Sequence, residues 1–336
     1  MVSCPFCSQP CEPRTSAARA VVAACAACLN PLVVRVNNGA YETEAIQCLA
    51  DMRQALGNSV GGDLLKKVPE HVETLPVMPR TAKKILKLLK EPNHSASDLA
   101  ASLSEDQVTA LKALELANAT YYSGLDEITS IATACARLGS KTLADAAGAM
   151  AKKNAYKTRC KKNEAIMQNL WRHALATAWC ATDIAAMLAE PEAETFFIAG
   201  LVHDIGKLLI FDIVTNNRIE SARPLVDSPE LMREIMHGYH ALAGLHIAQH
   251  WRLPQQITVA IFCHDKPDLV PDTAWLTIAH TVALASAIAN KAGYGLGYSE
   301  NALTTLPSAK FLNVKDTRLA ALRVDLEDRM DPLLED

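Results

Sequence analysis

The sequence has few aromatic side chains: Phe, Trp and Tyr together make up 5% of its 336 residues, while half of the residues are hydrophobic and Ala dominates. β-Sandwiches depend on aromatic and β-branched residues, so this composition favours close-packed helices. A strong charge of one sign is missing too. The net charge of -4 provides no global reason to expect binding to nucleic acid or to an anionic membrane.

Targeting and membrane-spanning signals are also missing. Met1 is followed by "VSCPFC", without the basic and apolar regions of a signal peptide. The stretch 273–290, "TAWLTIAHTVALASAIAN", has no Asp, Glu, Lys or Arg, but lipid would penalise its three Thr, its Ser, its Asn and its His. We therefore expect a buried core helix in a cytoplasmic protein that has no membrane partner.

Common nucleotide-binding and hydrolase motifs do not occur. We find no P-loop, no Rossmann glycine fingerprint and no serine-centred nucleophile elbow. These absences argue against the P-loop nucleotidases, the dinucleotide-dependent dehydrogenases and the α/β-hydrolases.

Cysteine, by contrast, occurs ten times, and four of these residues follow the spacing CxxC-x17-CxxC: Cys4, Cys7, Cys25 and Cys28. Each CxxC turn can direct two thiolates at one tetrahedral ion. Residues 31–44, "PLVVRVNNGAYETE", predict a hairpin with an Asn-Gly turn at 38–39. Residues 1–45 are therefore predicted to form a small β zinc ribbon, in which structural Zn²⁺ supplies most of the folding energy.

A thioredoxin-like redox pair at Cys4 and Cys7 is the competing interpretation. It lacks a preceding strand and leaves the second pair unexplained. Cys11 is left over as a spare thiol of undefined role. Residues 1–45 carry three Arg and three Glu, whereas a nucleic-acid-binding ribbon should be basic, so a structural or protein-contact role is favoured.

The rest of the chain is predicted to be helical. Residues 46–70 are predicted to be a helix followed by a linker, because "LGNSVGGDLLKKVPE" clusters Gly, Asn and Ser before a Pro. Apolar residues then recur at helical spacing, and no stretch between 75 and 290 alternates as a strand does. Later helices are expected at about 129–155, 164–190, 193–213, 229–237, 239–252, 254–264, 273–291 and 315–332. The predicted fold class is mainly α.

Three stretches resemble the HDOD domain, the HD-related output domain of bacterial signalling proteins. They are "LPVMPRTAKKILKLL", "LSEDQVTALKALELANATYYSGLDEITSIATACARLGSKTL", and the pair "FFIAGLVHDIGKLLIFD" and "GYHALAGLHIAQHWRLPQQITVAIFCHD". The resemblance covers about 71–290. It implies an all-α domain in which an amino-terminal lobe (71–163) packs on an HD-like lobe (164–336). It also implies a signalling role without demonstrated hydrolase activity.

The resemblance implies a metal site as well. Its ligand positions match His173, His203, Asp204, His240 and His264, with the doublet inside "GLVHDIGKLLI" at 200–210. Imidazoles and carboxylates hold a divalent ion such as Mn, Fe, Mg or Ni, and the ion lowers the pKa of a bound water. His203, Asp204 and Lys207 are the candidate catalytic residues.

The sequence departs from the family pattern at the closing ligand, an Asp that the resemblance places on the helix after His264. No Asp or Glu occurs between Asp272 and Glu300, and the nearest register offers Ser286. The usual paired histidines have become His264-Asp265, and no "GYP" follows His240. Three alternatives stay open: an empty polar cluster in which His173 or Lys207 partners Asp204, a bound metal without efficient turnover, and a working phosphohydrolase.

Two further features have weaker interpretations. His246 and His250 lie four apart on one predicted helix without a third ligand nearby, which is typical of an ordinary helix face. The run 152–162, "KKNAYKTRCKK", carries six positive charges and reads as a solvated connector between the lobes.

We therefore predict a cytoplasmic bacterial regulatory protein with a zinc ribbon and a degenerate HD site. It would act through signalling protein partners, with a small nucleotide as a candidate ligand of the HD-like cleft and with its oligomeric state left open. The alternative is a metal-dependent phosphohydrolase acting on a nucleotide or phosphoester. A third hypothesis, which the charge balance disfavours, is nucleic-acid binding through the ribbon and Lys152, Lys153, Lys161 and Lys162.

Overall fold

The computed structural model describes residues 2–3, 10–11, 20–24, 31–37, 40–45, 60–91, 95–119, 127–153, 156, 160–216, 228–296 and 302–334. The first five of these segments are strands: β1 (Val2–Ser3), β2 (Pro10–Cys11), β3 (Ala20–Ala24), β4 (Pro31–Asn37) and β5 (Ala40–Ala45). β1 pairs with β2, and β3, β4 and β5 form an antiparallel sheet in that order.

The predicted hairpin is confirmed, because Asn37 at the end of β4 pairs with Ala40 at the start of β5 across a two-residue connection. Cys4, Cys7, Cys25 and Cys28 lie outside the described residues. The zinc ribbon therefore stays a prediction.

Fourteen α-helices follow in the described part of the chain. They are α1 (Val60–His71), α2 (Pro79–Leu88), α3 (Ala96–Leu103), α4 (Gln107–Ala117), α5 (Ile131–Leu138), α6 (Ser140–Lys153), α7 (Lys161–Met187), α8 (Ala193–Val202), α9 (Ile205–Thr215), α10 (Pro229–His250), α11 (Gln255–Cys263), α12 (Leu276–Lys291), α13 (Pro307–Phe311) and α14 (Asp316–Leu334). Short 3-10 helices cover Val72–Thr74, Pro267–Leu269, Thr273–Trp275 and Leu303–Thr305. The mainly α fold class is confirmed.

The expected linker at 56–70 is wrong over most of its length. Residues from Val60 onwards form α1, and Leu64, Leu65 and Val68 are fully buried where this helix packs against α9 and α10. These three residues lie on one face of the helix, so burying them outweighs the helix-breaking signal of Gly and Pro.

The amino-terminal lobe contains the five helices α2 to α6. α2 begins at Pro79, whose fixed φ suits a first helical position. The predicted helix at 129–155 is in fact two, because Gly139 adopts φ +78° between α5 and α6. Asn118, at the end of α4, holds the backbone of Ile128 in place ahead of α5. Its side-chain amide donates to Ile128 O at 2.8 Å and accepts from Ile128 N at 2.9 Å.

The HD-like lobe is built on α7 to α12. The segments predicted at 229–237 and 239–252 form the single helix α10, which continues through Gly238. The segment predicted at 193–213 is instead divided into α8 and α9 by a turn at 203–204. α12 is a core helix with residues such as Ile278, Val282 and Ile288 buried, as its sequence predicts.

None of the helices within the described residues is both long and apolar enough to span a bilayer. The two lobes contact each other through hydrogen bonds. Trp171 Nε1 in α7 donates to Glu105 O at 2.7 Å, and the hydroxyls of Thr129 and Thr195 are 2.7 Å apart. The middle of α7 and the start of α8 thus contact the smaller lobe.

Candidate metal centre

The His203-Asp204 doublet occupies the turn between α8 and α9. Both side chains are buried, with 1% and 3% exposure. Gly206, three residues after His203, allows close packing here, because a Cβ on it would lie 1.9 Å from the His240 carbonyl oxygen. This contact between α9 and α10 brings the doublet against His240.

The structure brings together the five residues that the resemblance implies. Asp204 Oδ2 lies 3.3 Å from His203 Nε2 and 3.4 Å from His173 Nε2. Asp204 Oδ1 lies 3.5 Å from both His240 Nε2 and His264 Nε2. Asp204 therefore stands between two groups of donor atoms, each close enough to share one ion.

All four imidazoles are oriented by backbone carbonyls through the opposite ring nitrogen. The Nδ1 contacts are His173 to Tyr294 O (2.7 Å), His203 to Gly200 O (2.7 Å), His240 to His237 O (2.9 Å) and His264 to Ala260 O (3.1 Å). A carbonyl only accepts, so each Nδ1 carries the proton, and in the neutral ring Nε2 presents its lone pair. Metal-binding histidines are commonly held in this way.

The resulting cluster is rich in acceptors that face one another. Nε2 of His240 and Nε2 of His264 are 3.3 Å apart. His203 Nε2 and Asp204 Oδ1 are buried, and no hydrogen bond reaches either atom. Buried lone pairs and carboxylate oxygens at such distances require a shared cation, either a proton or a metal ion. The donor set, with imidazole nitrogens and carboxylate oxygens, fits a divalent metal.

Lys207 supplies one positive charge to the centre. Its Nζ lies 2.6 Å from Asp204 Oδ2. Burial alone would raise the pKa of Asp204, but the Lys207 ammonium and the His203 ring hold it well below its usual range. Burial lowers the pKa of His173 to about 3, so this ring is neutral. Burial also lowers the pKa of His240.

The closing position holds a hydroxyl, as the sequence register suggests. Ser286 in α12 lies with its Oγ 3.2 Å from His173 Nε2. A second carboxylate reaches the cluster from elsewhere: Asp265 Oδ2 is 3.2 Å from His240 Nε2, and Oδ1 is 3.4 Å from His264 Nε2. The sequence interpretation missed this role of Asp265, for which the altered histidine pair at 264–265 was the available signal.

Asp265 and His264 influence each other strongly. Burial opposes ionisation of both groups, yet the His264 ring lowers the pKa of Asp265, and the two aspartates raise the pKa of His264. The two carboxylates thus favour the protonated form of the His264 ring, and the ring favours the ionised form of Asp265.

A cavity of about 830 Å³ opens onto the cluster. His173, Asp204, His264 and Asp265 contribute to its wall. The cationic side chains Lys207, Arg233 and Lys266 also line it, together with apolar residues such as Leu170 and Leu296. Its volume lies within the range of small-molecule sites.

The remaining features singled out in the sequence, His246, His250 and the basic run 152–162, are not among the ligands of this centre. His250 contacts Glu73 Oε1 at 3.0 Å and is half-exposed, whereas His246 is buried. Of the basic run 152–162, Lys161 and Lys162 lie exposed at the start of α7, and 154–155 and 157–159 lie outside the described residues.

Comparison with known proteins agrees with this architecture. A crystal structure of the MmoQ response regulator from Methylococcus capsulatus superposes with a TM-score of 0.57 and 23% identity, covering 74% of this chain and 98% of that one. A virulence factor from Campylobacter jejuni gives a TM-score of 0.52 and 18% identity over 78% of this chain and 96% of that one.

An uncharacterized protein of Treponema pallidum (strain Nichols) is 22% identical over 235 residues, which are 66% of this chain and 44% of the relative. The chain thus spans less than half the length of that relative. The model of the HDOD domain family matches residues 75–267, which is more than half of the chain. The chain therefore belongs to the HDOD domain family.

Proposed function

We propose that this chain is a cytoplasmic bacterial regulatory protein whose HD-like centre binds a divalent cation without efficient phosphoester hydrolysis, and which transmits its signal through protein contacts. Membership of the HDOD family supports the signalling role. The fold is also one that a protein named as a response regulator adopts. The four cysteines of the predicted ribbon would hold a structural zinc ion at the other end of the chain.

One observation carries the proposal that catalysis is weak: the hydroxyl of Ser286 lies beside His173 Nε2 where the family pattern expects a carboxylate. A hydroxyl is a poor ligand for a divalent ion beside a carboxylate. An efficient hydrolase needs an ion held in a fixed geometry with one open position. The half of the centre nearest His173 does not provide this.

A small ligand with a phosphate group suits the cavity. Lys207, Arg233 and Lys266 offer positive charge along a wall that also carries carboxylates, and a bound cation would add to the positive charge. The apolar wall formed by Leu170, Leu296 and their neighbours would cover a less polar portion such as a nucleoside. We propose a nucleotide as the ligand that gates the signal.

The alternative is a metal-dependent phosphohydrolase, and the shared position of Asp204 between two groups of ligands favours it. His173, His203, Asp204, His240 and His264 would hold the metal. When bound, the ion would lower the pKa of a coordinated water and polarise a phosphate oxygen. Lys207 would then neutralise charge beside Asp204.

Metal analysis combined with a phosphatase assay separates the two. We expect purified protein to retain a divalent cation that Asp204→Asn removes, and to hydrolyse neither p-nitrophenyl phosphate nor nucleotides above background with Mn²⁺ present. Mn²⁺-stimulated turnover by the wild type, abolished in His203→Ala, would establish the hydrolase instead. Loss of one zinc per chain on changing Cys25 to Ser would separately identify the ribbon site.

A further inference from the structure

The two halves of the centre are chemically unequal. The first half consists of His173, His203, Ser286 and Asp204 Oδ2. The second half consists of His240, His264, Asp265 and Asp204 Oδ1. Both halves contain two imidazoles and share one carboxylate. They differ in the remaining side chain, which is Ser286 in the first half and Asp265 in the second half.

The first half is already neutralised by protein charge. Lys207 Nζ lies 2.6 Å from Asp204 Oδ2, the oxygen that faces His173 and His203. An ion on that side would approach an ammonium group closely, and Coulomb repulsion at such distances is strong in a buried site. The neutral hydroxyl of Ser286 offers no compensating charge.

The second half has the opposite balance. Asp265 adds a full negative charge within 3.2 to 3.4 Å of both imidazole Nε2 atoms. Its side chain is 44% exposed and lines the cavity, so it can adjust its position around an entering ion. Two imidazoles and two carboxylates make a four-ligand set that suits first-row divalent metals.

From this asymmetry we infer that the centre holds a single divalent cation, ligated by His240, His264, Asp265 and Asp204, and that Lys207 replaces a second cation on the His173 side. Asp265 thereby takes over the role of the missing carboxylate from the opposite half of the cluster. This inference rests on the proposed metal-binding function and specifies where the ion lies and how many there are.

Mn²⁺ is the probe of choice, because it prefers oxygen and nitrogen ligands and competes poorly with zinc for the thiolates of the predicted ribbon. The full chain would be titrated with Mn²⁺, and free Mn²⁺ would be followed by electron paramagnetic resonance. We expect one equivalent in the wild type. Asp265→Asn should weaken binding at least about tenfold, because altering even an outer-shell partner has that effect.

Asp268→Asn is the matched control, since Asp268 also lines the cavity and the change removes the same charge outside the ligand cluster. It should leave the affinity within about threefold of the wild type. His173→Asn should do the same, and the double variant Ser286→Asp, Lys207→Met should bind a second equivalent. Anomalous scattering from a Mn²⁺-soaked crystal gives the position without any substitution.

The outcomes distinguish the two proposals. An ion that is lost in His173→Asn but kept in Asp265→Asn overturns the inference and leaves metal binding intact. Two equivalents in the wild type also overturn it and favour the hydrolase. Absence of binding by Mn²⁺, Zn²⁺ and Fe²⁺ at the centre overturns the proposed function itself.

Discussion

The close contact between α9 and α10 at Gly206 is the part of the centre that is most sensitive to a small change. An alanine Cβ at this position would lie 1.9 Å from the His240 carbonyl oxygen and 2.7 Å from Gly244 N. Real Cβ atoms essentially never approach closer than 3.0 Å. Both obstacles are backbone atoms, so Gly206→Ala must separate the helices by about 1 Å.

The cost follows from this geometry. Overpacking a well-packed core costs up to about 3 kcal/mol, and a clash between two backbones belongs at that end of the range. The higher helix propensity of Ala stabilises the helix by less than about 1 kcal/mol and offsets only part of this cost. We therefore expect Gly206→Ala to lose about 2 kcal/mol and to lower the melting temperature by roughly 4 to 8 °C.

The same displacement should disturb the centre, because the obstructing carbonyl belongs to His240, whose Nε2 lies 3.5 Å from Asp204 Oδ1. Metal ligands tolerate errors of only about 0.2 Å. Mn²⁺ affinity should therefore fall at least about tenfold. Gly238→Ala is the control: it makes the same change in α10 where a Cβ meets nothing within 4 Å. Equal melting temperatures and affinities for the two variants would refute the reasoning.

Three further predictions concern stability. Asp106 is buried and accepts from the amides of Met78, Val108 and Thr109, and burial raises its pKa to about 6. The folded protein should therefore keep the Asp106 proton to higher pH than the unfolded chain does. The free energy of unfolding should fall by about 3 kcal/mol as the pH rises from about 4 to about 6. Urea unfolding across this range should show that slope in the wild type and lack it in Asp106→Asn; identical slopes would contradict the shift. Asn118→Ala should cost about 2 kcal/mol, because both Ile128 contacts disappear, whereas the change to Ala at exposed Lys141 should be nearly neutral in the same assay. Trp171→Phe should lose about 1 kcal/mol with its bond to Glu105 O; unchanged thermal unfolding would show that this contact does not stabilise the lobes.

Much of the centre could be predicted from the sequence because its ligands occupy recognisable motifs. The His-Asp doublet, the three further histidines and the register that brings Ser286 to the last ligand position are what the resemblance to the HDOD family implies. The interaction of Lys207 with Asp204 is also local, since the two residues are three apart across the start of α9. The role of Asp265 was less accessible, because it depends on where α10 places His240.

The remaining features depend on tertiary contacts. Nothing in the sequence near His173 identifies Tyr294 O, 121 residues away, as the acceptor that fixes the ring. The breaking signals at Gly61, Gly62 and Pro69 suggested a linker, but the core formed by α9 and α10 stabilises α1. Gly238 resembles a helix end equally well, yet α10 continues through it because packing on both sides holds the helix.

A regulatory function requires that the occupied centre affect a surface elsewhere, and α7 provides a physical connection. His173 faces the centre, and Trp171, two residues earlier, donates to Glu105 O and lies under the Arg80 guanidinium at 5.9 Å in the smaller lobe. A ligand shifts an equilibrium only by its difference in affinity for the two states. Because His173 and Lys207 both contact Asp204 and both line the cavity, a phosphate that binds Lys207 would change the contacts of Asp204 with His173. Signal transmission through α7 therefore predicts that Trp171→Phe leaves Mn²⁺ affinity unchanged while it weakens the effect of a bound nucleotide on the lobe contact, measured by hydrogen exchange at the start of α4. An equal nucleotide effect in wild type and variant would place the connection elsewhere in the fold.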